Sequence, residues 1–113
     1  FAIEDADVAA ALRFIHDHAT EYIQVDDVVR HVAISRRNIE IRIQKSLGRT
    51  LHDELQRVRM ERARRFLLET DLPIPKVADA VGYTTPSYFI HVFRAEHDLT
   101  PAKYRRKTRD ETV

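Results

Sequence analysis

The 113-residue chain has no cysteine and no tryptophan, and only two glycines, four prolines and one methionine. Without cysteine there is no disulfide framework, no thiolate metal site and no cysteine nucleophile, and the chain suits a reducing, cytoplasmic compartment. Two glycines cannot build a phosphate-cradling glycine loop. No apolar run approaches the ~18 residues that span a bilayer and no signal peptide opens the chain, so no membrane partner is expected. The chain begins on Phe rather than Met, which reads as a C-terminal domain cut from a longer protein. A catalytic constellation is missing as well. Ser35, Ser46 and Ser87 lie outside any nucleophile elbow, and there is no HEXXH. His16 and His18 flank Asp17, but residues two apart point to different sides of a helix. Neither an enzyme, nor a metal, nor a cofactor is expected.

What the chain does contain is a core and a skewed charge distribution. Hydrophobic residues make up 43% and charged residues 33%, enough for a buried interior under a wet surface. The net charge of +1 hides an asymmetry. Residues 1–35 hold two Arg against seven acids, and residues 36–109 hold 17 Lys and Arg against nine acids; Asp110 and Glu111 close the chain. The successive balances are −5, +8 and −2. A basic segment of this kind points to a polyanionic partner.

Helical periodicity recurs along the chain and strand alternation does not. Asp5 or Asp7 caps a first helix over 5–19, with Val8, Leu12, Ile15 and Ala19 on one face. Val25, Val28, Val29 and Val32 mark a short second helix. Ser35 caps a third, striped by Ile39, Ile43 and Leu47 and ended by Gly48. The fourth, over 50–70, is the longest at ~31 Å; Thr50 and Asp53 form its capping box. A fifth covers 74–81, a sixth runs from about Thr85 to His97, and Thr100-Pro101 caps a seventh.

An internal repeat links these elements. Val28, Val32 and Ser35 lie 49 residues before Val77, Val81 and Thr84; after a one-residue insertion, Ile39, Ile43 and Thr50 lie 50 residues before Phe89, Phe93 and Thr100. Each copy is a short helix, a tight turn and a longer helix, the layout of a helix-turn-helix. The fold class is therefore all-α, with seven helices forming two helix-turn-helix subdomains (1–48 and 72–109) joined by a linker helix (49–71), and a tail (110–113).

The densest motif is "VADAVGYTTPSYFIHVFRAEHDLTPAKYR", residues 77–105. Its Ala78, Gly82-Tyr83, Thr84, Tyr88-Phe89, Phe93-Arg94, Thr100-Pro101 and Tyr104-Arg105 resemble the signature of the AraC/XylS family of bacterial transcription regulators. Arg62-Ala63-Arg64 resembles the family's basic-Ala-basic step, and the likeness covers about residues 8–107. The resemblance implies a C-terminal DNA-binding domain whose two recognition helices enter successive major grooves on one face of double-stranded DNA. The ~34 Å between such grooves is close to the length of helix 50–70. It also implies transcriptional activation through RNA polymerase, an effector-sensing domain outside this chain and, from the first unit and linker, the sugar-responsive branch with the xylose-operon regulators. The chain departs from the pattern at Asp98, usually Gly, at Ile41 and His91, where relatives often carry Arg, and at Pro86.

With Ile39 and Ile43 facing the core, Arg36, Arg37, Glu40, Ile41 and Gln44 face outward. The family match makes Arg37, Glu40 and Ile41 base-facing, toward guanine O6/N7, cytosine N4 and a thymine methyl respectively. In the second unit the Phe89–Phe93 stripe leaves Pro86, Ser87, Ile90 and His91 outward as base contacts. Ser87 and His91 could bond base edges or phosphates, Pro86 and Ile90 could make apolar contact, and packing on the last helix is the alternative for Ile90. Tyr88 is expected inward with the two Phe, a phosphate contact being the alternative. Phosphate contacts are expected from Arg36, Gln44, Arg49, Thr85 and Arg94. Lys103, Arg105, Arg106, Lys107 and Arg109 could add to the field, and Phe66, Tyr83 and Tyr104 are expected in the core. The rival is a helical adaptor that binds a partner protein through helix 50–70.

Overall fold

The computed structural model describes residues 4–111. Seven α-helices make up the described chain: α1 (Ala6–His18), α2 (Val25–His31), α3 (Arg36–Leu47), α4 (Leu51–Glu69), α5 (Ile74–Ala80), α6 (Pro86–His97) and α7 (Pro101–Glu111). The repeat is visible in these bounds. Helices α3 and α6 begin and end 50 residues apart, α2 and α5 49 apart, and the extra residue lies in the second turn.

Local chemistry sets the helix ends. Of the two candidate caps for α1, Asp5 does the capping: its Oδ1 accepts from the N–H of Asp7 (3.0 Å) and Val8 (3.2 Å). Asp7 instead pairs with Arg42 Nη1 at 2.6 Å, tying α3 to the start of α1. At α2, Asp27 accepts from Gln24 N (2.8 Å), and that bond, ahead of nearby Arg30, holds its carboxyl below the ordinary carboxylate range. Ser35 Oγ accepts from Asn38 N, and Gly48 closes α3 at φ +72°. Thr50 Oγ1 accepts from Asp53 N (3.0 Å), with the reciprocal bond from Thr50 N to Asp53 at 3.5 Å, so the expected capping box is formed. Asp98, at the place of Gly48, takes the left-handed conformation at φ 60°.

Contacts divide the chain into two compact units, one ending at Val58 and the other beginning at Arg59, so α4 contributes to both. The first core is aliphatic: Val8, Leu12 and Ile15 of α1, Val28 of α2, Ile39 and Ile43 of α3, and Leu51, Leu55 and Val58 of α4. The second holds Met60, Ala63 and Leu67 of α4 with Val77, Ala78, Val81, Tyr83, Phe89, Val92 and Phe93; Phe66, Ile74, Ile90 and Tyr104 pack on it half-buried. Rings run through this core. Tyr83 meets Phe89 at 5.5 Å between centroids, Phe89 meets Phe93 at 5.9 Å, and Phe93 meets Tyr104 edge-on at 5.3 Å. His97 stacks on Phe93 at 3.9 Å. Arg64 Nη1 donates to its Nε2 (3.0 Å), which leaves Nδ1–H to donate to the Phe93 carbonyl (2.9 Å).

The last turn of α4 has no cation of its own, and α7 supplies two. Arg105 donates to the carbonyls of Leu67 (3.1 Å) and Leu72 (2.7 Å). Arg109 donates to those of Leu67 (3.2 Å) and Thr70 and pairs with Asp71 at 2.8 Å. The Leu67 carbonyl is one that the helix end leaves without an intrahelical donor, and those of Thr70 and Leu72 follow just beyond it. The cations expected to add a DNA-facing field from this tail are therefore, at Arg105 and Arg109, turned inward onto α4.

Candidate nucleic-acid interface

In the first unit the burial of Ile39 and Ile43 turns the opposite face of α3 to solvent. Arg36, Arg37 and Gln44 are exposed, and so is Ile41 at 55%, unusual for an aliphatic side chain. Among the described residues none pairs with the guanidinium of Arg37. Arg36 is paired, through Nη1, with Asp26 Oδ1 at 2.8 Å. Glu40 does not stand out with the rest. It is half-buried, and its Oε1 accepts from the N–H of Leu51, the first residue of α4, at 2.9 Å.

Arg49 is drawn toward a carboxylate that sequence patterning did not single out. Glu54 is 2% exposed, and Arg57 approaches it with Nε 2.8 Å from Oε1 and Nη2 3.0 Å from Oε2. Arg49 Nε lies 2.7 Å from the same Oε1 but misaligned for a hydrogen bond, so that contact is ionic. A buried carboxylate between two guanidiniums is held by charge pairing rather than by water. The signal for it was present, since Glu54 lies on the same helix face as Leu51 and Val58 at i−3 and i+4.

In the second unit Thr85 precedes α6 with extended backbone (φ −123°, ψ 128°) and Pro86 occupies its first turn. Pro86, Ser87, His91 and Arg94 are exposed, as expected. Two positions differ from expectation. Ile90 is half-buried on the aromatic core, because the turn of helix that exposes Ser87 and His91 brings it back toward the protein. Tyr88, expected inward, is 51% exposed: Phe89, Val92 and Phe93 fill the interior, and the Tyr88 ring lies against that of Tyr83, 5.9 Å between centroids. Arg59 of α4 stands over the Tyr83 ring, its guanidinium 5.6 Å from the centroid. Burial is the main cause that lowers the Arg59 pKa, and burial likewise pushes the Tyr83 phenol up to about 12 against the opposing pull of Arg59. Val92, His97 and Arg59 were given no role by sequence reasoning, which followed a narrower i, i+4 stripe, and Arg64 entered only as part of the basic-Ala-basic step.

The two exposed strips, Arg37–Ile41 and Pro86–Ser87–His91, each lie on the second helix of a helix-turn-helix and carry hydrogen-bonding and apolar groups of the kind that meets base edges. Such a pair of units defines a helix-turn-helix DNA-binding domain, and residues 28–107 match the family described as "Helix-turn-helix domain". The chain belongs to this family, in its AraC/XylS type. It is 36% identical over 104 residues to the xylose operon regulatory protein of Escherichia coli strain K12, covering 92% of this chain and 26% of that protein. It thus spans about a quarter of the length of that curated relative. The C-terminal domain of AraT, a response regulator from Geobacillus stearothermophilus, superposes with a TM-score of 0.88 at 31% identity, over 91% of this chain and 86% of that one. The DNA-binding domain of AdpA, solved with a target DNA, shares the fold at a TM-score of 0.88 and 24% identity, over 95% and 96%. The relatives are transcription regulators, not enzymes, and no described helix is long and apolar enough to cross a membrane.

Proposed function

We propose that the chain binds a specific double-stranded DNA sequence with α3 and α6 in successive major grooves. The observation that carries this reading is the pair of exposed strips at matching places of the two units, Arg37 with Ile41 and Ser87 with His91. In this reading Arg37 donates to guanine O6/N7, Ile41 packs on a thymine methyl, and Ser87 and His91 bond base edges beside an apolar contact from Pro86. Ile90 sits too far back to do more than edge contact. Arg94, Gln44 and Thr85 touch phosphates, with Tyr88 beside them. Arg36 and Arg49 contribute less, because each already shares its charge with Asp26 or Glu54. The segment 49–71 acts as the linker between the reading units.

The name of the xylose-operon relative supports a finer reading. The domain regulates a sugar-catabolic operon in the cytoplasm, activates it through RNA polymerase, and takes its instructions from a sensor domain outside this chain. Selection of bound DNA from a random pool tests the core of the proposal: two motifs one helical turn apart are expected, with affinity falling steeply as salt rises. Salt-insensitive binding with no enriched sequence would remove it. Arg37→Ala is expected to cost about 1–3 kcal/mol on the selected site and to relax one base pair. An equal loss on all sequences would make Arg37 a phosphate contact.

A further inference from the structure

Glu40 lies on the reader helix α3, between Arg37 and Ile41, yet its carboxylate is turned toward the protein. Its Oε1 accepts from Leu51 N at 2.9 Å. Leu51 is the first residue of α4, where a backbone N–H has no partner inside its own helix. The neighbouring donor on Asp53 is taken by Thr50 Oγ1, so Glu40 supplies what the local capping box leaves unmet.

The repeat within the chain provides an independent check. Fifty residues on, the position of Leu51 is held by Pro101, the first residue of α7, and that of Glu40 by Ile90. Proline has no N–H to satisfy. Where the donor is missing, the carboxylate is missing too, and an aliphatic side chain packs on the core in its place. The Thr that caps the helix is kept in both copies, and Thr100 Oγ1 accepts from Lys103 N as Thr50 accepts from Asp53 N. The carboxylate and the N–H thus occur together in one unit and are absent together in the other.

We infer that Glu40 is a positioning residue, not a base reader: it fixes the start of α4 against α3 and thereby sets the angle at which Arg37 and Ile41 are presented. This rests on the DNA reading proposed above. It predicts that sequence preference survives the loss of the negative charge as long as an acceptor oxygen remains at position 40.

The test uses the 113-residue chain with Glu40→Gln and Glu40→Ala, reading base preference by selection from a random DNA pool and amide hydrogen exchange at Leu51 in the DNA-free protein. Glu40→Gln keeps an amide oxygen and is expected to select the wild-type sequence with Leu51 still protected. Glu40→Ala is expected to speed Leu51 exchange about tenfold, the loss of one charge-assisted bond. Its affinity should fall more on the selected site than on unrelated DNA, because the residues it orients, Arg37 and Ile41, are the base-facing ones. A shift of one selected pair from C·G to A·T in Glu40→Gln would overturn the inference, because Gln reads adenine N6/N7 where Glu accepts from cytosine N4. Unchanged Leu51 exchange in Glu40→Ala would overturn it as well. If the wild-type chain enriched no sequence, the DNA reading would fall and the positioning role with it, while the exchange rates would still show whether the cap exists.

Discussion

In the first unit α3 buries Ile39 and Ile43; fifty residues on, α6 buries Phe89 and Phe93. The buried core of the same frame is aliphatic in one half and built largely on tilted and edge-on aromatic rings in the other. The difference extends to the surface. Helix α3 presents a guanidinium and an exposed isoleucine, Arg37 and Ile41, while α6 presents a hydroxyl and an imidazole, Ser87 and His91, after a proline. A helix-turn-helix fixes where a side chain points but leaves its chemistry open, so two copies can diverge in what they read while keeping the geometry of reading.

The comparison can be broken most forcefully in the cores. Phe93→Ala should destabilise the second unit by about 3–5 kcal/mol, since the ring touches Phe89, His97 and Tyr104 at once. Near-UV circular dichroism of the tyrosines during urea unfolding measures it. A protein that kept its stability and lost only DNA affinity would contradict the buried position. Ile43→Ala should cost about 2–5 kcal/mol in the first unit and leave in place the part of that signal from Tyr83, Tyr88 and Tyr104.

A smaller effect is expected where the second unit holds the end of α4. Arg105→Ala removes two bonds to the Leu67 and Leu72 carbonyls and should cost about 1–2 kcal/mol, read as a lower urea midpoint. Arg106→Ala, an exposed neighbour on the same helix, should stay within about 0.5 kcal/mol. Equal effects would mean that α7 supplies general charge rather than a cap.

The helix ends offer a finer contrast. Gly48 and Asp98 both close reader helices in the left-handed region, at φ +72° and φ 60°. Nothing lies within 4 Å of where a Cβ on Gly48 would be, so Gly48→Ala tests backbone strain alone and should cost about 1 kcal/mol. Asp98→Gly should gain about 0.5–1 kcal/mol by relieving that strain in the second unit. Thermal unfolding of the two variants gives both signs.

An alkaline pH dependence belongs to the second unit. Its core holds the Tyr83 phenol, whose pKa is raised to about 12 by burial. The folded protein therefore keeps a proton that the unfolded chain releases near pH 10. The contribution of Tyr83 is fully present below pH 10 and declines as pH rises toward 12. Absorbance titration should show a tyrosine ionisation near pH 12 that Tyr83→Phe removes, and the same variant should flatten the alkaline loss of stability.

Most of the architecture was legible in the sequence because it depends on neighbours along the chain. Periodicity marks each helix, Asp5, Ser35, Thr50 and Thr100 mark helix starts, and the 49- and 50-residue offsets expose the duplicated unit. The outward face of α3 followed from Ile39 and Ile43 alone. Three side chains did not follow their pattern. Tyr88 was assigned inward with the phenylalanines, but Val92 takes that space and Tyr88 remains half in water. Ile90 curls back on the core, and Glu40 turns to Leu51. Glu40 depends on a residue of another helix, while Tyr88 and Ile90 depend on how α6 is rotated against the core.

By itself, then, the sequence determined that this is a chain of seven helices in two copies of one motif, since spacing and capping act within a few residues and need no partner. Tertiary structure alone decided which charges remain available. Arg37 and Arg94 stay exposed, Arg36 and Arg49 are met by Asp26 and Glu54, and Arg105 and Arg109 fold onto carbonyls at and just beyond the end of α4. A guanidinium looks the same in a sequence whether it is solvated or spent. What separates the two cases is the distance to a carboxylate or carbonyl, and for Arg105 and Arg109 the bonded carbonyls lie more than thirty residues away.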